Sequence, residues 1–202
     1  MGDHPVLCTG DSITDCGRRD DPAGLGNGYV RLLAEAPALA RTRVINTGVG
    51  GDLSSDLAAR WAGDVLAHEP AVVSVLIGIN DVWRRYDGAG RVTGTAEFEA
   101  NLRRMLGTLA PSVRLVLIEP FVLPVTAEQH RWEADDLGAK RLVIRELAAE
   151  FGAAFVPAQH VFSAAAEEHG AAALASDGVH PTALGHAVLA AAWLAHSSVS
   201  CS

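Results

Sequence analysis

Short apolar runs alternate along the chain with longer segments of a different periodicity. The runs are rich in Val, Ile and Leu, and they are "PVLCTG" (5–10), "TRVINTG" (42–48), "AVVSVLIGI" (71–79), "RLVLIEPF" (114–121) and "AAFVPA" (153–158). They are continuously apolar and do not alternate between polar and apolar residues. A strand buried on both faces has this pattern, so the runs predict a parallel sheet.

The longer segments repeat apolar residues every three or four positions, which predicts helices. They are "YVRLLAEAPALA" (29–40), "SSDLAARWAGDVLAHE" (54–69), "TAEFEANLRRMLGTLA" (95–110) and "GAKRLVIRELAAEFG" (138–152). A last helix is predicted over "TALGHAVLAAAWLAH" (182–196). Strands that alternate with helices indicate an α/β protein in which helices cover both faces of the sheet. We therefore expect a three-layer α/β/α sandwich with five parallel strands, and we interpret residues 1–202 as one domain.

Composition and charge exclude several classes of protein. Hydrophobic residues make up 49% of the chain and charged residues 20%, the balance of an ordinary globular protein. The net charge of −8 disfavours nucleic acid and anionic membranes as partners, and no cluster of Lys and Arg offsets it. The Ala-rich helices are compatible with a homo-oligomer, although nothing in the sequence specifies one.

The cysteines favour a reducing compartment. Cys8, Cys16 and Cys201 are odd in number and unrelated in spacing, so the sequence indicates neither a disulfide framework nor a zinc site. The first residues lack the basic region and apolar core of a signal peptide, and no run of about 18 apolar residues occurs. We therefore expect a cytoplasmic protein without metal or cofactor.

Polar groups follow three of the predicted strands. Ser12 follows the first run, "NTGVGGD" (46–52) the second and "GIND" (78–81) the third, while "SDGVHP" (176–181) precedes the last helix. Taken singly, each of these segments is also what a turn, a helix cap or a helix start requires. The carboxyl ends of the strands in an open parallel sheet form the ligand-binding edge, so these groups are expected to meet there.

Together, the groups meet the requirements of acyl transfer. Ser12 supplies a nucleophile, and His180 supplies an imidazole that can accept its proton. Asp177 lies three residues earlier and can orient that imidazole. The backbone N–H groups of Ser12 and Gly51 and the side-chain amide of Asn80 can stabilise the negative charge of a tetrahedral intermediate.

These blocks resemble those of the SGNH subgroup of the GDSL esterase and lipase family. The segment "GDSITD" resembles the first block of the family, with Ser12 as the nucleophile. The segment "NTGVGGD" resembles the second block, and Gly51 stands at the position of its oxyanion-hole glycine. The third, "GIND", gives Asn80, and "DGVH" gives Asp177 and His180. The resemblance covers nearly the whole chain and implies a flavodoxin-like fold and a serine esterase.

The sequence departs from the family pattern at two places. Ser12 is followed by Ile-Thr where the family name has leucine, a change that we expect to be harmless. Gly50 stands where many relatives have serine, so Gly50 and Gly51 are alternative oxyanion donors, of which we favour Gly51.

Within the family, five segments look most like intracellular carbohydrate acetylesterases, including those that deacetylate xylo-oligosaccharides: "GDSITDCGR", "LGNGYV", "ARWAGDVLAHEP", "IGINDVWRRYD" and "DGVHPTALGH". The resemblance implies a short acyl group, acetyl above all, on a small polar alcohol. Asp11, Trp83 and Arg84 are the candidate substrate-binding residues, and Trp83 could equally pack against a neighbouring helix. The segment "EPFVLP" (119–124) is a further candidate lining of the cleft.

The sequence argues against several rival functions. A dinucleotide-binding site would need glycine at position 53, where Leu53 stands, and no Walker Lys-Ser or Lys-Thr pair occurs. The histidines at 4, 68, 160 and 186 match no metal-ligand spacing. A non-catalytic carbohydrate-binding protein would not need the full set of reactive groups. The remaining alternative is a thioesterase or lysophospholipase of the same fold.

Overall fold

The five strands form one parallel sheet in the order β2-β1-β3-β4-β5. The strands are β1 (Val6–Gly10), β2 (Val44–Asn46), β3 (Val72–Leu76), β4 (Arg114–Ile118) and β5 (Ala154–Val156). The computed structural model describes residues 4–87, 90–197 and 199, so Cys201 lies outside the described residues. This strand order is that of flavodoxin-like sheets, which have a topological switch point between β1 and β3.

Helices of different lengths connect the strands. They are α1 (Ser12–Asp15), α2 (Tyr29–Glu35), α3 (Ser54–Asp64), α4 (Ile79–Trp83), α5 (Thr95–Leu106), α6 (Gln129–Trp132), α7 (Gly138–Glu150), α8 (Ala158–His169), α9 (Ala171–Leu174) and α10 (Ala183–His196). A π-helical turn, Glu133–Leu137, joins α6 to α7, and 3₁₀ turns follow α2 and α3. Within the described ranges, no helix has the length and apolar character needed to cross a bilayer.

Two apolar layers cover the two faces of the sheet. Alternate strand residues such as Val6 and Val116 pack with α2, α8 and α10, and residues such as Leu7 and Leu117 pack with α3, α5 and α7. Since both faces are buried, every strand position can be apolar, which explains the continuously apolar runs. The predicted three-layer α/β/α sandwich with five parallel strands is confirmed.

Several predicted elements end earlier than their apolar patterns do. α2 ends at Glu35, because Pro37 cannot continue the helix and a 3₁₀ turn follows. β3 ends at Leu76, and Ile79 already begins α4, so the end of that apolar run turns into the helix that carries Asn80. The Ala-rich α8 buries only Ala158 and Phe162 and so gave little periodic signal.

The chain contains one lysine, Lys140 on α7, and it is fully buried. Its ammonium group donates to the Asp136 carboxylate and to the Thr93 carbonyl oxygen, 2.9 Å away, and lies 5.8 Å from the centroid of the Phe98 ring. The Thr95 hydroxyl also donates to Asp136. A buried charge is tolerated only when it is paired and hydrogen-bonded, as here.

Replacing Asp136 with alanine should lower the free energy of unfolding by about 3–5 kcal/mol, because the buried Lys140 ammonium would lose its counter-charge. The double variant with Lys140→Met should be more stable than the single variant, since no unpaired ammonium remains. Urea unfolding measures both. Glu99→Ala, which removes an exposed partner of Arg103, is the control and should cost less than about 1 kcal/mol. A double variant no more stable than Asp136→Ala would contradict this account.

Candidate active site

Ser12 lies at the carboxyl end of β1, next to the topological switch point. It is the first residue of α1, and the Asp11 carboxylate caps that helix by accepting from the Ile13 N–H at 3.0 Å. The N–H groups at the start of a helix have no intrahelical acceptor. The chain therefore leaves the strand through a turn that presents both the Ser12 hydroxyl and its N–H to the cleft.

The structure brings His180 and Asp177 to Ser12 from the loop before α10. Ser12 Oγ lies 2.9 Å from His180 Nε2, and His180 Nδ1 lies 2.6 Å from Asp177 Oδ2. With its Nδ1 proton donated to the carboxylate, the imidazole has Nε2 free to accept the Ser12 proton. Asp177 Oδ1 accepts from the N–H groups of Val179 and His180, at 2.9 and 2.7 Å, so both carboxylate oxygens are engaged.

These contacts keep Asp177 ionised. Partial burial acts to raise the pKa of Asp177, but the hydrogen bonds from the His180 side chain and from the backbone N–H groups outweigh it, and the pKa is lowered. An ionised carboxylate at this place can hold the Nδ1 proton and stabilise an imidazolium.

The loop after β2 distinguishes the two glycines. The Gly50 N–H donates to Asp15 Oδ2 at 2.9 Å, whereas the Gly51 N–H makes no hydrogen bond among the described residues. Gly51 has φ = 83°, a conformation that favours glycine, and a Cβ there would lie 3.0 Å from Arg84 Nη2. The geometry favours Gly51 over Gly50 as the oxyanion donor.

Asn80 is buried at the start of α4, directly after β3. Its Nδ2 donates to the Asp52 carbonyl oxygen at 3.0 Å, and Asn80 also lines the cleft beside Ser12. An amide nitrogen carries two protons, so one fixes the side chain and the second remains for a ligand. α4 itself is fastened by Asp81, which accepts from the N–H and the hydroxyl of Ser54.

Replacing Asn80 with alanine should lower kcat for ester hydrolysis by about 10²- to 10³-fold, because one oxyanion donor is lost. Steady-state kinetics on an aryl acetate measures the change. Asn101→Ala is a matched control, since Asn101 also donates from a buried amide, to Ser54 Oγ, but does not line the cleft. A folded Asn80→Ala variant with the parental kcat would mean that Asn80 only holds the Asp52 loop.

The groups around Ser12 enclose a cavity of about 350 Å³. Its lining consists of Ser12, Gly50, Gly51, Asn80, Trp83, Arg84 and His180. The Trp83 ring lies 5.9 Å from that of His180 and 5.6 Å from that of Trp132, so it both faces the cleft and packs on a neighbouring element. Arg84 is held by Asp87 at 2.6 Å.

Asp11 does not line the cavity around Ser12. Its side chain is fully buried; Oδ1 caps α1, and Oδ2 has no hydrogen-bond partner among the described residues. Burial raises the pKa of Asp11 to about 7, despite the hydrogen bond from the Ile13 N–H. The predicted substrate contact of Asp11 therefore has no support from the structure, because the residue before the nucleophile points inward from the strand end.

Residues 119–124 also do not line the cleft, where the sequence placed them as candidates. Phe121, Val122 and Leu123 are buried, and the Leu123 N–H donates to the Gly178 carbonyl oxygen at 2.8 Å. The segment therefore supports the loop that carries Asp177 and does not form a wall of the cleft.

Comparison with known proteins agrees with this arrangement. The GDSL-like Lipase/Acylhydrolase family matches residues 8–188, which include every block of the site. The chain belongs to this family. It is a carboxylic ester hydrolase of the GDSL type with the flavodoxin-like sheet of its solved relatives.

Its relatives include an enzyme of defined activity. The chain is 40% identical to the acetylxylan esterase of Geobacillus stearothermophilus over 94% of this chain and 91% of that protein. A solved structure of that esterase has a TM-score of 0.85 and 36% identity, covering 98% of this chain and 97% of that one. A putative GDSL-like lipase from Parabacteroides merdae has a TM-score of 0.88 and 33% identity, covering 98% and 97%.

Two further structures of the Geobacillus esterase are described as catalytic mutants, one with a serine and one with a histidine replaced by alanine. In this GDSL protein a serine and a histidine also lie together: Ser12 Oγ is 2.9 Å from His180 Nε2.

Sequence reasoning missed the residues that hold the loops of this GDSL site in place. The Arg60 guanidinium on α3 donates to the carbonyl oxygens of Gly10 and Thr47 and to the Asp52 carboxylate, at 2.9, 2.5 and 2.7 Å. It thereby joins the ends of β1 and β2 to the loop that carries Gly51. The sequence contains no signal for this role of Arg60, because an arginine in a helical pattern is ordinarily predicted to be exposed to solvent.

Proposed function

We propose that this protein, as a single domain, hydrolyses short acyl esters, above all acetyl esters, of carbohydrates or other small polar alcohols through an acyl-enzyme on Ser12. The observation that carries the proposal is the Ser12–His180–Asp177 chain of hydrogen bonds at the edge of a small cavity. The alternative is hydrolysis of a long-chain thioester or a lysophospholipid, which a series of aryl esters of increasing acyl length distinguishes from acetyl ester hydrolysis.

The proposed reaction starts with proton transfer from Ser12 Oγ to His180 Nε2 while Oγ attacks the ester carbonyl carbon. The N–H groups of Ser12 and Gly51 and the Asn80 amide stabilise the resulting oxyanion. When the bond between the acyl carbon and the alcohol oxygen breaks, the imidazolium returns the proton to that oxygen and the alcohol leaves. Water then attacks the acyl group with His180 again as the base, which releases the acid and restores Ser12.

The proposed substrate class follows from what surrounds Ser12. Trp83 offers an apolar ring face of the kind on which sugar rings lie, and Arg84 offers fixed hydrogen-bond donors to hydroxyl oxygens. The named activity of the Geobacillus relative supports an acetylated carbohydrate as substrate.

Hydrolysis of matched aryl esters should be most efficient for acetate, decline by butyrate and be nearly absent for octanoate, measured as relative kcat/KM. An apolar groove would contribute about 0.8 kcal/mol per buried methylene and would reverse this order. A rise in kcat/KM from acetate to octanoate would sink the acetylesterase proposal. A panel of acetylated xylo-oligosaccharides, acyl thioesters and lysophospholipids would then identify the substrate class.

The location and partners are proposed on charge and thiol state. Cys8 and Cys16 are free thiols, which suits a reducing cytoplasm. The net charge of −8 disfavours nucleic acid and anionic membranes as partners, so the proposed partner is a small ester. A measurement of mass in solution tests whether the protein also forms a homo-oligomer.

A further inference from the structure

The two groups that activate Ser12 stand in a solvent-exposed loop. The side chains of Asp177 and His180 are 46% and 44% exposed. Exposed side chains have few packing contacts to fix them, so their position depends on how the backbone beneath them is anchored. The Asp177 carboxylate contacts its own turn through Val179 and His180, which orients it within the loop but does not fix the loop to the sheet.

Gln129, on α6, supplies an anchor from outside the loop. Its side chain is buried, and its Nε2 donates to the Asp177 carbonyl oxygen at 2.6 Å. Its Oε1 accepts from the N–H groups of Val125 and Thr126 at 2.8 and 3.2 Å. Two N–H donors on one end and a carbonyl acceptor on the other determine the orientation of this amide.

The loop that carries Asp177 packs so closely on Gln129 that no side chain fits at Gly178. Gly178 has φ = 83°, and a Cβ on it would lie 2.6 Å from the Leu123 carbonyl oxygen and 2.7 Å from Gln129 Oε1. The Gly178 carbonyl oxygen accepts from the Leu123 N–H at 2.8 Å. The peptide after Asp177 is therefore held between residue 123 and the Gln129 amide.

From this geometry we infer that Gln129 is a positioning residue, which holds the Asp177 backbone so that the carboxylate meets His180 Nδ1. The inference rests on the proposed roles of Asp177 and His180. Gln129 does not line the cavity around Ser12, so its removal changes the placement of the base and leaves the binding surface in place. A misplacement of about 1 Å in a reacting group can cost a hundredfold in rate.

Two substitutions separate this role from support of the 122–126 segment. Gln129→Glu keeps an oxygen acceptor for the Val125 and Thr126 N–H groups, but its carboxylate cannot donate to the Asp177 carbonyl oxygen and repels it. Gln129→Met removes all three hydrogen bonds at similar volume. Both variants should lose between about tenfold and a hundredfold in kcat on an aryl acetate, with KM changed less than about twofold.

Gln159 offers a matched control. Its amide donates to the Val122 carbonyl oxygen and accepts from the Val122 N–H, at 3.1 and 3.0 Å, so it anchors the same segment without contacting Asp177. Gln159→Met should keep kcat within about twofold of the parent. An equal loss in Gln159→Met would show that the segment as a whole matters and would overturn the inference.

A double-mutant cycle gives the decisive readout. If Gln129 acts through Asp177, then adding Gln129→Glu to Asp177→Ala should lower kcat less than about twofold further. Additive losses, or a folded Gln129→Glu variant with parental kcat, would overturn the inference. His180→Ala separates a failure of the proposed function from a failure of the role of Gln129. Full turnover in His180→Ala would refute the proposed function. Loss of turnover in His180→Ala, together with parental turnover in the Gln129 variants, would refute only the role of Gln129.

Discussion

Replacing Ser12 with alanine should reduce kcat for acetyl ester hydrolysis by about 10⁶-fold, because no other group in the cleft can form the acyl-enzyme. The fold should remain intact. Ser12 Oγ contacts His180 Nε2 at the edge of the cavity and fills no part of the core. Steady-state kinetics with a thermal unfolding curve measures both expectations.

The control for this variant is Ser112→Ala, which removes an exposed hydroxyl just before β4, at the opposite end of the strands. It should have the parental kcat. A folded Ser12→Ala protein that turns over the acetate at a near-normal rate would falsify the assignment of Ser12 as nucleophile.

His180→Ala should be nearly as severe as Ser12→Ala, with a loss of about 10⁶-fold in kcat, since it removes the base that accepts the Ser12 proton. Asp177→Ala should be milder, at about 10⁴-fold, because the imidazole remains but is poorly oriented. His160→Ala, which removes an exposed imidazole on α8, is the control and should be silent. If His180→Ala proved milder than Asp177→Ala, the division of roles would be wrong.

The pH profile of kcat/KM should reflect the same division. Hydrogen bonding lowers the pKa of Asp177, so this carboxylate stays ionised at a pH where an ordinary aspartate takes up a proton. The ratio of kcat/KM between the parent and Asp177→Ala isolates its contribution. This ratio should stay constant as the pH falls into the usual titration range of an aspartate and decline only below it. A ratio that already declines within that range would contradict the account.

The residues that meet around Ser12 could be predicted because they belong to short blocks of characteristic sequence. Ser12, Asn80 and the Asp177–His180 pair each follow a recognisable strand or precede a recognisable helix. Parallel strands bring their carboxyl ends together, so the meeting of Ser12 and Asn80 followed from the alternation of elements. Asp177 and His180 precede a helix and follow no strand, so their place beside Ser12 was implied by the resemblance to the GDSL family.

The supports of the site could not be predicted, because each joins segments far apart in the chain. Gln129 and Asp177 are 48 residues apart, and Arg60 and Gly10 are 50 apart. No local pattern selects one of the two glutamines, or one of the fifteen arginines, for such a contact. The burial of Asp11 could not be predicted for a different reason, since proximity to Ser12 in sequence does not decide which way a side chain points at a strand end.

The burial of Lys140 has a consequence for chemical labelling. Succinimidyl esters and similar acylating reagents need an accessible, deprotonated amine, and the one lysine side chain of this protein is sealed beneath α7. Its acylation must wait until α7 separates from Phe98 and the Thr93 carbonyl oxygen, so the rate of labelling reports how often that region opens. Mass spectrometry at a single site can thus follow an opening equilibrium that otherwise requires hydrogen exchange across the whole backbone.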